Sequence, residues 1–191
     1  MLTAPIAHVG RPPAPHDLWS AWNPDPLVVG SLLVAMWLYQ RGRTPGRRPS
    51  DVLRARCFWA AMAAVAVALV SPVDRMSTAL ASAHMVQHVL LVLVAAPLLA
   101  LSAPASTLLR GSPLVVRQSP GVLRRRLARG ASTAALLRQP GAVWLAHVAT
   151  LWFWHAAVPY DAALASGLIH AVEHGTFLLT GVLFWRTVVG G

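Results

Sequence analysis

The chain has 191 residues, of which 56% are hydrophobic and 12% charged, with a mean hydropathy of +0.56. A soluble domain carries about 25% charged residues, so this composition excludes an ordinary soluble globule and points to the membrane. The formal charge of +10 comes from 16 basic residues, all arginine. They cluster between apolar runs and form no basic, aromatic-studded polar face, which excludes nucleic acid as a partner.

Residues 1–26 read as an irregular, proline-rich leader on the extracytoplasmic side, holding His8, His16, Trp19 and Trp22. They lack a basic region followed by an apolar core, so no cleavable signal is read. Pro26 is suited to the first position of a helix, where its missing N–H is not needed. The single transmembrane helical domain then covers 27–189, with spans expected at about 27–40, 57–71, 78–102, 141–158 and 167–185. Pro97 falls inside the third span and is expected to kink or break it. The loop 41–56 carries six arginines and the loop 110–138 carries seven. Val122, Leu123 and Leu127 in the second loop suit an interfacial amphipathic helix. The leader carries Arg11 alone and the loop after the second span Arg75 alone. Arginine-rich loops remain in the cytoplasm. The expectation is therefore an all-α polytopic membrane helical bundle of about five transmembrane helices with its N-terminus outside.

That orientation gathers the histidines. His84 and His88 are four residues apart and share one face of the third span, about one turn from each other. His170 and His174 repeat the spacing at the start of the fifth span, and His155 ends the fourth. All five are expected in the outer half of the bilayer. Imidazole is the commonest metal ligand, and ionisable groups inside a membrane mark functional sites by default. His84, His88, His155, His170 and His174 are therefore the candidate metal ligands. Glu173 can orient a ligating imidazole, and Met85 and Met76 can add thioether sulfur. Asp74 and Asp161 stand in the short outer loops beside the cluster, and His147 lies deeper. Plainer roles are open to several of these: a hydrogen bond between helices for His155, His147 and Glu173, a lipid or core contact for Met85. Cys57, the one cysteine, is expected at the cytoplasmic end of the second span, outside this cluster, and excludes an intrachain disulfide.

Several stretches resemble one known family. They are Asn23-Pro24-Asp25-Pro26, Ser71-Pro72-Val73-Asp74, and Ser82-Ala83-His84-Met85-Val86-Gln87-His88-Val89-Leu90-Leu91 with Ala96-Pro97-Leu98. Trp152-Phe153-Trp154-His155, Pro159-Tyr160-Asp161-Ala162-Ala163-Leu164 and His170-Ala171-Val172-Glu173-His174 complete the pattern, with Phe177 and Phe184-Trp185. Together they cover roughly residues 22–186 and look like the CtaG-type assembly factors of caa-type cytochrome c oxidase. The resemblance implies a non-enzymatic, multi-pass protein of the bacterial inner membrane. It implies copper as the ion and help in placing it in the CuB centre of haem-copper oxidase subunit I. An extracytoplasmic copper chaperone is a candidate donor, and the lipid bilayer is the other partner. Members of that family usually have about seven spans, two more than are read here.

Two other functions fit parts of the pattern. A haem-binding transmembrane electron-transfer protein would use one histidine of each pair as axial ligands. An intramembrane zinc protease would use His170-x-x-Glu173-His174, with Glu173 as general base. The second leaves His84 and His88 without a role.

Overall fold

A computed structural model describes residues 21–44, 48–77, 80–117 and 139–190, and among these every regular element is helical. Helix α1 is Pro26–Gly42, α2 is Pro49–Leu69, and α3 is the short Pro72–Ser77. One continuous run follows: α4 (Ala81–Val89), a π-helical segment (Leu90–Ala95) and α5 (Ala96–Ser102). Then come α6 (Ala105–Gly111), α7 (Pro140–Trp154), α8 (Ala157–Ala165) and α9 (Gly167–Val189). The suggested amphipathic helix around Val122–Leu127 lies outside the described residues.

Three helical stretches are long and apolar enough to cross a membrane: α2, the run 81–102, and α9. The pair α7 and α8 supplies a fourth if it is one span bent by 68°. Helix α1, at 17 residues, falls just short of the roughly 20 that a bilayer requires. The described helices thus support three or four spans where the sequence reading counts five. Two segments expected as loops are helical. Helix α2 starts at Pro49, so Arg54 and Arg56 lie in its first turns, where long arginine side chains can reach the interface. Much of the stretch after the fourth span forms α8.

Local chemistry explains several boundaries. Asp25 caps α1: its Oδ1 accepts from the N–H of Leu27 at 2.8 Å and of Val28 at 3.2 Å. Pro26 occupies the first turn, where it removes no helical bond. Pro97 cannot donate a hydrogen bond, and its ring crowds the carbonyl one turn back. The backbone widens just before it, with Ala96 N–H bonded to Leu91 O, five residues away. Val92 O thereby loses its ordinary i+4 donor. Trp185 Nε1 replaces it, donating to Val92 O at 2.8 Å from α9. In a lipid setting an unpaired backbone carbonyl is expensive, so this indole contact is what makes the irregular turn tolerable.

Helix packing uses small residues, which let helix backbones approach where apolar lipid offers no hydrophobic drive. Ala61, Ala68, Ala95 and Ala96 are fully buried. A Cβ on Gly181 of α9 would sit 3.1 Å from Ala96 Cβ of α5. Helices α1 and α6 cross more tightly: a Cβ on Gly42 would collide with Thr107 O, and one on Gly111 with Leu38 O. Leu32, Phe58, Met62, Val65 and Leu91 fill the main core between α1, α2 and the π segment. Trp154, Ala163 and Phe177 form a second core at the α7–α9 side.

Replacing Trp185 by Phe keeps the ring but removes the donor to Val92 O. The expected result is a loss of about 1–3 kcal/mol, read as a lower midpoint in thermal unfolding of the detergent-solubilised protein. An unchanged midpoint would show that the widened turn satisfies Val92 by other means.

Candidate metal centre

Helices α4 and α9 run side by side in the same direction, since His84 meets His170 at one end and Ala96 meets Gly181 further along. Residues 84 and 88 share one face of α4. Residues 170, 173 and 174 share one face of α9, at i, i+3 and i+4. The two faces point at each other. The imidazole centroids of His84 and His88 are 4.3 Å apart, those of His170 and His174 4.1 Å apart. Across the interface His84 lies 5.5 Å from His170, and His88 lies 5.4 Å from His174.

Glu173 stands between the two pairs and is 0% exposed; His84 is 1% exposed. Glu173 Oε1 is 3.5 Å from His88 Nε2 and 3.9 Å from His84 Nε2. These separations exceed a hydrogen bond of about 2.7–3.2 Å. They match two ligand atoms held about 2.0–2.2 Å from one ion, which sit roughly 3–4 Å from each other. Both carboxylate oxygens of Glu173 and both ring nitrogens of His84 and His88 are buried without a hydrogen-bond partner. Burying such groups unpaired is strongly unfavourable, and a bound cation would satisfy them together. Two overlapping groups could each hold an ion: His84, His170 and Glu173, and His88, Glu173 and His174. In each, the ligand atoms lie within 4.8 Å of one another.

Of the residues singled out from sequence, these five come together. His155 lies at the rim: its centroid is 5.7 Å from His88, the residue is exposed, and its Nδ1 is 2.7 Å from Leu151 O. His147 belongs elsewhere. It is buried deeper in the bundle, with Nδ1 3.0 Å from Thr180 Oγ1 and its ring stacked on Phe184 at 5.5 Å. Met85 is 36% exposed, Asp161 is exposed on α8, and Cys57 is buried in α2; none joins either group. Asp74 has a different task. It is 4% exposed and accepts from Gln87 Nε2 at 2.9 Å and from Asn23 Nδ2 at 2.6 Å. Gln87 also donates to Ala68 O at 2.9 Å. Since Gln87 sits between His84 and His88 on α4, this network fixes how that helix is turned toward α9.

Gln87 and Asn23 were not among the candidate residues. Gln87 could have been noticed, because it shares the His84 face at i+3. The aromatic frame adds Phe177, fully buried with its ring 4.6 Å from His88, and Tyr160, 5.8 Å from His84. A cavity of about 230 Å³ adjoins the centre, with His170 and His174 on one wall and Asn23, Asp25 and Asp74 on the other.

Fold and site together define an all-helical membrane bundle that buries four histidines and a glutamate between two neighbouring helices. The chain belongs to the cytochrome c oxidase caa3 assembly factor (CtaG) family, whose model matches residues 33–191. This is a family of assembly factors and not of enzymes. Comparison with curated proteins and with solved structures gives no match.

Asp74→Ala is expected to lower stability by about 1–3 kcal/mol, because the buried Gln87 amide loses one of its two acceptors and Asn23 loses its partner. Metal affinity should change less than tenfold. Thermal unfolding and metal titration on the same sample check both. A complete loss of metal would instead make Asp74 a ligand.

Proposed function

We propose that this protein is a copper-handling assembly factor of the bacterial cell membrane. It takes the ion into the outer half of the bilayer and passes it to the CuB centre of haem-copper oxidase subunit I. One observation carries the reading: two histidine pairs on neighbouring helices surround the fully buried Glu173 carboxylate, at distances suited to sharing an ion. The family supplies the oxidase as the object of assembly. The donor set of imidazole nitrogen and carboxylate oxygen is one that copper accepts, and it does not by itself select copper.

The arginine pattern supports the orientation, with the histidine end outward and the arginine-rich end in the cytoplasm. The 230 Å³ cavity beside His170 and His174 is the access route, with an extracytoplasmic copper chaperone as donor. His155 at the rim is placed to take over the ion when it leaves.

The haem alternative needs a flat slot between two axial histidines, and here the remaining histidines and Glu173 fill that space. The protease alternative needs Glu173 to activate water, whereas Glu173 is enclosed by imidazoles on both sides.

The His84→Ala/His88→Ala double variant is expected to reduce copper content to background and to stop oxidase maturation. Metal analysis of the purified protein and oxidase activity in cells measure these; unchanged values in both would sink the reading. Glu173→Gln is expected to weaken copper binding about 10–100-fold. A variant that instead keeps full metal and loses cleavage of a membrane substrate would establish the protease. A Soret band in the purified protein would establish haem.

A further inference from the structure

The other end of the bundle holds a second polar site. Helix α1 ends at Gly42, α2 begins at Pro49 and α5 ends at Ser102, so three helix ends meet at one level. Between them lies a cavity of about 240 Å³. That far exceeds the roughly 30 Å³ share of one water molecule. Arg43, Arg54 and Arg110 line it, with Asp51 as the one lining carboxylate. Three guanidinium groups against one carboxylate leave a formal surplus of two positive charges.

The arginines are available to a ligand. Arg43 and Arg54 form no ion pair with any carboxylate among the described residues. Arg110 is held in place. Its Nε donates to Gly42 O and its Nη2 to Thr107 Oγ1, each at 3.2 Å. The tight Gly42–Gly111 crossing brings α6 and its arginine to this position. Tyr39 forms part of the wall. It is 4% exposed, stacks on Phe58 at 3.7 Å, and its hydroxyl has no hydrogen-bond partner among the described residues. The ring is packed, while the hydroxyl reaches the cavity and can donate to a ligand there. Ser102, also buried, already donates its hydroxyl proton to Leu99 O at 2.9 Å, so it lines the wall without a spare donor.

We infer that this cavity binds a phosphate group. Planar guanidinium forks match phosphate oxygens in pairs, and the Tyr39 phenol in the wall adds one further donor. The helix ends stand where lipid headgroups lie, so an anionic phospholipid can deliver that phosphate; a soluble phosphate compound offers the same chemistry. The histidine centre plays no part in this site.

The test uses the full chain, delipidated in detergent. One arm titrates inorganic phosphate by calorimetry. The other reconstitutes the protein in phosphatidylcholine nanodiscs with and without phosphatidylglycerol, and counts retained lipids by native mass spectrometry. Selective retention of phosphatidylglycerol assigns the site to a headgroup; phosphate binding in solution assigns it to a soluble ligand. In either case Arg43→Gln/Arg54→Gln should weaken binding about tenfold or more. Both side chains are exposed and make no intramolecular ion pair, so the fold should persist, with copper content as the control. Arg54→Lys, which keeps the charge but not the fork, should fall between. Binding of neither probe, or equal binding by the double variant, overturns the inference.

Discussion

A carboxylate buried among imidazoles, inside helices that face lipid, is the constraint that the rest of this structure serves. Glu173 has no exposed surface, and neither of its oxygens has a hydrogen-bond donor. A negative charge there is tolerable only if positive charge reaches it, from an ion or from a proton on a neighbouring ring. That requirement fixes the helices. The α4 and α9 faces must approach closely enough for His84 and His88 to stand 3.9 and 3.5 Å from Oε1. Gly181 against Ala96 permits the approach further along the same pair. Gln87, tied to Asp74 and Ala68, sets the rotation of α4. Phe177 closes the centre on the inner side as an apolar floor.

The same demand for satisfied polar groups governs the irregular backbone. A proline within a spanning helix normally leaves a carbonyl without a donor. Here the widened turn before Pro97 moves the deficit to Val92, and Trp185 meets it from the neighbouring helix. Trp154 Nε1 likewise donates to Thr176 Oγ1 at 2.8 Å, joining α7 to α9. Both indoles lock the helices flanking the histidine centre. The aromatic residues near the helix ends therefore act as donors between helices as much as anchors at the membrane surface.

Helical class, apolar runs and the two i, i+4 histidine pairs were legible because each is periodic and local. Glu173 was legible as a neighbour of the second pair, since i+3 and i+4 share a face. Its position between both pairs was not, because that depends on the parallel alignment of α4 and α9. The Asn23–Asp74–Gln87 network was hidden for the same reason: it joins residues separated by 51 and 13 positions. Apolar periodicity also misplaced boundaries. Arg54 and Arg56 look like loop residues by charge, yet they sit in α2, because a long side chain can leave the helix and reach water. His147 shares the chemistry of the cluster but not its place, since depth along α7 puts it beside Thr180.

On the copper reading, the overlap of the two ligand groups has a kinetic meaning. His84 with His170 and His88 with His174 each form a triad, and Glu173 belongs to both. An ion bound in one triad can reach the other by exchanging imidazoles one at a time while the carboxylate stays attached. No step then requires a bare ion in an apolar medium, which would be prohibitive. His155, 5.7 Å from His88, extends the same ladder to the rim, where a partner's ligands could take over. A cage of four ligands around a single point would bind more tightly and release more slowly. Surplus ligands sharing one carboxylate suit a carrier, because they let affinity and transfer coexist in one centre.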